Sequence, residues 1–154
     1  MFNGAEHKGE KMAINDVKVF PAKQAAELLN NESQAVFVDV RSHMEYLFIG
    51  HPKGAINIPW IDEPDWVINP HFVREVRQLL LGGLMHDGNT SHSVPVVLIC
   101  RSGRRSLEAG AALHKAGFEN VYSVGDGFEG ELDDTHHRST LAGWRYEGLP
   151  WEQC

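Results

Sequence analysis

The sequence predicts an α/β domain with a mostly parallel central sheet and helices on both faces. Two observations carry that expectation. Residues 35–40 and 94–99 are short, nearly unbroken apolar runs rich in β-branched side chains, as expected of strands covered on both faces. The segments around them carry apolar residues at helical spacing, so strands and helices alternate without any internal repeat.

Taken in order, Val17 to Phe20 alternates weakly like a short strand. Pro21 and residues 22–29 suit the first turn and body of a helix that Asn30 and Asn31 end. Residues 35–40 form a buried strand whose polar exit, Asp39 and Arg41, belongs at the rim of the sheet. A short helical piece is expected around 43–48, then a turn at 50–54 and a short strand over 55–59. Phe72, Val73, Val76, Leu79 and Leu80 fall on one face of an amphipathic helix within 70–84. Residues 87–93 read as a polar loop and 94–99 as a second buried strand delivering Cys100 at its carboxyl end. A helix is expected over 106–116 with Ser106 as N-cap and Gly117 as the stop, and a last strand over 120–124. Residues 1–15 lack periodicity and are expected to form a flexible leader, leaving one domain over 16–154.

Composition excludes several classes. A formal charge of -7 disfavours general nucleic-acid or anionic-membrane binding, so neither partner is expected and any anion site must be local. No apolar run approaches the roughly 18 residues of a membrane span, and the first residues carry no secretory pattern, which makes the cytoplasm the expected location. Two cysteines, Cys100 and Cys154, supply neither a disulfide framework nor zinc-ligand spacing. The His136-His137 pair lacks a convincing four-ligand set, so no metal is expected.

The chemistry-bearing segment is Cys100-Arg101-Ser102-Gly103-Arg104-Arg105-Ser106, which leaves a buried strand and opens a helix. Backbone N–H groups in such a turn can curl around an anion, and ligands in parallel sheets gather beyond the carboxyl ends of the strands. Three of the eight arginines lie here in an otherwise acidic chain. Their charge, with the helix N-terminus, favours thiolate over thiol for a cysteine that ordinarily titrates near pH ~8.5. An inert core cysteine beside a solvated charged loop is the plain alternative.

Asp39-Val40-Arg41, then Glu45, the stretch from Gly50-His51 to Pro59, and CRSGRRS resemble the rhodanese-like domain family in residues and order. Gly117 to Tyr122, Gly125 to Gly130 and the closing Gly143 to Trp151 extend the resemblance. It implies a three-layer α/β/α domain and a sulfurtransferase of the thiosulfate type without metal or organic cofactor. Cys100 is then nucleophile and carrier, taking a sulfane sulfur from a small anionic donor such as thiosulfate, holding it as a persulfide and yielding it to a thiol or cyanide acceptor. Glutathione and a thioredoxin-like protein are the expected thiol partners. The backbone from Arg101 through Ser102, Gly103, Arg104 and Arg105 to Ser106 binds the anion, with the three arginines orienting the donor. Asp39, Arg41, Glu45 and His51 support the loop structurally.

The chain departs from the family pattern at Gly125-Asp126-Gly127, at Lys53, and through residues 60–93, which are expected to be an exposed connection. A cysteine-dependent phosphatase or arsenate reductase is a rival reading, but such enzymes carry an arginine six positions after the cysteine, where this chain has Ser106. The other rival is a non-catalytic binding module on the same fold. Cys154 could resolve a persulfide only if the final residues folded back, and a free mobile terminus is the expected state.

Overall fold

The computed structural model describes residues 16–84 and 93–154. The expected leader over 1–15 and most of the polar loop over 87–93 lie outside the described residues. Nine strands and three α-helices are found among those described. In chain order they are β1 (Lys18–Phe20), α1 (Ala22–Asn31), β2 (Val36–Asp39), β3 (His51–Pro52), β4 (Ile56–Asn57), β5 (Ile61–Asp62), β6 (Val67–Ile68), α2 (Phe72–Leu84), β7 (Val96–Ile99), α3 (Arg104–Lys115), β8 (Val121–Val124) and β9 (Trp151–Glu152). The helical piece after β2 is a π-helical turn over Glu45–Ile49.

Strands β1, β8, β7, β2 and β4 lie in that order in one sheet, every neighbouring pair parallel. Because side chains alternate across a strand, each buried strand feeds two cores. Val38, Val40, Val96, Leu98 and Val121 point to the face covered by α2 and α3 through Phe72, Val76, Leu80, Ala109 and Leu113. Phe37, Val97, Ile99 and Val124 point to the other face, where Ala22 and Ala25 of α1 and the closing segment's Trp144 cover them. The unbroken apolar runs of β2 and β7 are thus the signature of two covered faces. No described helix is long and apolar enough to cross a membrane.

Two small antiparallel ribbons, which periodicity does not reveal, sit at the edge of this frame. Strand β9 pairs with β3, His51 opposite Glu152, and ties the chain's last residues to the turn before β4. Strand β5 pairs with β6, Ile61 opposite Ile68, within a stretch expected to be plain connection. Helix α3 begins at Arg104, two residues earlier than expected, with left-handed Gly103 (φ 109°) as its N-cap. Ser106 is therefore no cap: it is buried in the first turn of α3. Asp126, at a position where the chain departs from the family pattern, accepts from the N–H of Ala22 at 3.1 Å and of Gly143 at 3.2 Å. It thereby caps α1 and anchors the closing segment.

The rim where β2 and β7 end is fixed by a fully buried ion pair. Arg41 Nε lies 2.9 Å from Asp39 Oδ1 and Arg41 Nη2 lies 2.6 Å from Asp39 Oδ2. The same Nη2 donates to the carbonyl of Gly50 at 2.6 Å, and the guanidinium sits 4.6 Å above the ring of Phe128. Removing one partner of such a pair leaves a buried charge without its counterion. Asp39→Ala is therefore expected to lower the unfolding free energy by about 3–5 kcal/mol, read from urea denaturation. A change within experimental scatter would mean that the pair is not needed.

Candidate active site

Cys100 follows β7 directly, and only 1% of its surface is accessible. The loop after it turns back over the sulfur: the Gly103 N–H donates to Sγ at 3.1 Å, and Ser106 Oγ lies 3.4 Å from it. Ser106 is held in turn by Ser123 Oγ at 2.7 Å and the Gly103 carbonyl at 3.3 Å. Ser123, on β8, was not singled out from the sequence, since nothing local marks a strand serine as an active-site neighbour.

Two close approaches fix the path of this loop. A Cβ on Gly103 would lie 2.2 Å from the Gly125 carbonyl oxygen, and one on Gly127 (φ 66°) would lie 2.4 Å from that of Arg101. Only glycine fits either place. The loop is also stitched to the following segment, because the Phe128 N–H donates to the Cys100 carbonyl at 2.8 Å and the Glu129 N–H to the Arg101 carbonyl at 2.9 Å.

The three loop arginines do not act alike. Arg105 is held in a bidentate pair with Glu45, at 2.7 and 3.0 Å, so its charge is matched before any substrate arrives. Arg101 is exposed and lines the cleft above the loop. Arg104 faces away, its side chain 91% exposed and 3.9 Å from Glu108. Of the three arginines expected to orient the donor, Arg101 and Arg105 line the cleft and Arg104 does not. Successive residues on a helix point about 100° apart, so Arg104 and Arg105 leave α3 in different directions. Ser102 is half-buried within the loop.

Glu45 braces the loop directly: besides Arg105, it accepts from the backbone N–H and hydroxyl of Ser42, both at 3.1 Å. His51 does not reach the loop. It stacks on Tyr46, with ring centroids 3.8 Å apart, its Nδ1 2.8 Å from the Tyr46 carbonyl, and it faces Glu152 of β9. Its place is in the ribbon that holds the π-helical turn. Asp39 and Arg41 act one layer below, through Phe128 and Gly50.

Above the loop lies a cleft of about 400 Å³, lined by Arg101 and Arg105 together with Ser42, Glu45, Ile49, Trp66, Glu129 and Arg138. Trp66 belongs to the stretch over 60–93 expected to be exposed connection, with shaping of acceptor access as its other role, and Arg138 escaped the sequence reading because it stands in an irregular segment 38 residues after Cys100. Glu129 lies 3.7 Å from Arg145, and its Oε2 has no hydrogen-bond partner among the described residues. No described cluster of His, Cys, Asp or Glu is placed to hold a metal ion. The His136-His137 pair sits instead in a tight turn around Asp133, which accepts from Thr135, His137 and Thr140.

A family model described as the rhodanese-like domain matches residues 21–132. The chain belongs to that family. This rhodanese-like domain is similar to the crystal structure of Rv0390 from M. tuberculosis, with a TM-score of 0.74 and 35% identity over 90% of this chain and 98% of that one. A tRNA uridine(34) hydroxylase of Sodalis glossinidius is 34% identical over 122 residues, which is 79% of this chain and 28% of the hydroxylase. The rhodanese-like chain thus matches one part of a larger protein there. The polysulfide-sulfur transferase homodimer of Wolinella succinogenes shares the fold, with a TM-score of 0.53 and 23% identity over 97% of this chain and 89% of that one.

The Glu45 carboxyl has a pKa of about 2, below the ordinary 4.5. Burial works against its charge, but the Arg105 guanidinium and the two Ser42 donors outweigh that. A depressed carboxyl stabilises the fold above its unfolded pKa and loses that contribution as pH falls through the folded value. Taken at face value the shift corresponds to about 3 kcal/mol, and solvent screening of this partly exposed pair reduces it to about 1–2 kcal/mol. Between pH 4.5 and about 2 the rhodanese-like domain is expected to lose this stability. Glu45→Gln should flatten that part of the profile, measured as urea midpoints across pH. An unchanged slope would remove Glu45 from the acid response.

Proposed function

We propose that the protein is a sulfurtransferase that carries a sulfane sulfur as a persulfide on Cys100. The observation that carries this reading is the sulfur's seat: Sγ ends a buried strand, beneath a loop whose Gly103 N–H is aimed at it and whose first residue lines an open cleft. Family membership and the likeness to a sulfur-transferring fold support the same class of chemistry.

In the first step the Cys100 thiolate attacks the outer sulfur of a donor such as thiosulfate. A new S–S bond forms, the donor's S–S bond breaks and sulfite leaves with its electron pair. In the second, a nucleophilic acceptor takes the outer sulfur and returns Cys100 to thiolate. Glutathione, a thioredoxin-like dithiol or cyanide fits the acceptor's role. The Gly103 N–H and the donors at the start of α3 hold the negative charge of the carried sulfur. Asp39 and Arg41 hold the strand end, Glu45 holds Arg105, and Arg101 attracts the donor at the mouth.

The pairing of Arg105 argues against phosphoryl chemistry. A cysteine phosphatase needs a guanidinium that grips the oxygens of a tetrahedral phosphate, and here the charge of the loop's last arginine is matched by Glu45, to which each of its Nη atoms donates.

Incubation with thiosulfate followed by intact mass measurement tests the reading. Wild type should gain one sulfur atom, removable by dithiothreitol, and Cys100→Ser should gain none. An adduct that persists in Cys100→Ser, or wild type that stays unmodified by thiosulfate, polysulfide and organic persulfides alike, would refute the Cys100 carrier.

A further inference from the structure

The cleft over the sulfur loop is larger than a bare inorganic donor needs, since about 400 Å³ lies in the range of sites for organic ligands. Its charge is unevenly settled. Glu45 and Arg105 cancel one another, and Glu129 lies near Arg145. Arg101 and Arg138 remain, both facing the cleft and neither in a salt bridge among the described residues. In a chain of net charge -7, two such guanidiniums at one mouth mark a local preference for anions.

Arg138 is presented by a rigid loop. Its Nη1 donates to the Gly130 carbonyl at 2.7 Å, the neighbouring Ser139 N–H donates to the Glu129 carbonyl at 2.7 Å, and Asp133 gathers the turn from below. Opposite it, Trp66 closes the hairpin between β5 and β6 and stays 57% exposed. Among the described residues only Trp66, His136 and Ser139 are non-glycine residues with left-handed φ, at 56°, 65° and 64°. All three lie in the two segments that bring Trp66 and Arg138 to the cleft. Such backbone costs free energy and persists where the surroundings dictate it, often at binding sites.

We propose that Arg138 and Trp66, with Arg101, form a specificity site for a small organic thiol bearing a carboxylate, which acts as the acceptor of the sulfur on Cys100. This rests on the persulfide reading above. The carboxylate pairs with the guanidiniums, the carbon stem lies against Trp66 and Ile49, and the thiolate RS⁻ meets the outer sulfur. As the RS–S bond forms, the bond to Sγ breaks and its electron pair stays on Sγ as thiolate. The acceptor's own thiol proton passes to the outer sulfur as RSSH leaves, so the anionic persulfide held by the loop and the thiol RSH yield the Cys100 thiolate and a hydropersulfide without an added oxidant or reductant.

Binding is tested apart from transfer, in Cys100→Ser protein, with 3-(methylthio)propionate and its neutral analogue 3-(methylthio)propanol as calorimetric probes. The carboxylate should bind at least tenfold tighter than the alcohol. Adding Arg138→Ala should remove most of that difference, Arg138→Lys should keep part of it, and Trp66→Ala should weaken both probes. With sulfur-loaded protein of native Cys100, 3-mercaptopropionate should be consumed with a lower KM than 2-mercaptoethanol, and Arg138→Ala should erase the gap. Equal affinity for the two probes, or equal loss of both in Arg138→Ala and Arg138→Lys, overturns the site. Discrimination between the probes in a protein whose Cys100 takes up no sulfur would sustain the carboxylate site and overturn the persulfide reading and the acceptor role with it. Loading without discrimination would do the reverse.

Discussion

The buried guanidinium of Arg41 is the point on which the rest of the site depends. It matches Asp39 at the end of β2, holds the Gly50 carbonyl where the π-helical turn ends, and lies over Phe128, whose own N–H holds the Cys100 carbonyl. Three segments distant in sequence are thereby fixed around one strand end. The cost of burying a charge is offset because its counterion is two residues away and equally dry, and because the Phe128 ring supplies a face to a guanidinium whose Nη1 has no hydrogen-bond partner among the described residues. A hydrophobic residue would fill the space but could not join three backbone paths at once.

Above that layer, the electrostatics of the site divide between bracing and recognition. Glu45 pairs Arg105 and makes it part of the wall, whereas Arg101 and Arg138 line the cleft outside any salt bridge among the described residues. On the proposed reading, a site that must release its product gains from this division, because the brace is paired and partly buried whereas the charges assigned to recognition are more open to solvent. On the persulfide reading, the covalent step asks for a positioned sulfur and a backbone donor, and the Gly103 N–H aimed at Sγ is such a donor.

The sheet was legible in the sequence because burial on two faces leaves its mark residue by residue: β2 and β7 are unbroken apolar runs, and α2 and α3 carry stripes at helical spacing. The position of Cys100 was legible for the same reason, since a strand that ends abruptly in a charged loop shows where its rim lies. Other features depend on partners that no local pattern names. Arg105 finds Glu45 60 positions away, Arg41 finds Phe128, and Ser106 finds Ser123. The N-cap was misplaced because a serine is the commoner capping residue, whereas here the tight approach of Gly103 to Gly125 decides where α3 starts. Trp66 and Arg138 come from irregular segments, where neither period of a strand nor of a helix applies.

The ribbon of β3 and β9 gives the far end of the chain a stake in the sulfur loop. Glu152 faces His51 just after the turn that carries Glu45, and on that turn Gln153 donates to the Phe48 carbonyl at 3.0 Å and the Cys154 N–H to the Leu47 carbonyl at 3.3 Å. The terminal cysteine, expected to be free, is tied to that turn through its backbone. Residues 151–154 and Arg105 thus share one brace, the turn over Glu45–Ile49. Through that shared brace, the backbone of residues 152–154 stands two contacts from the loop that holds the sulfur, which gives a surface strand a structural line to the thiol.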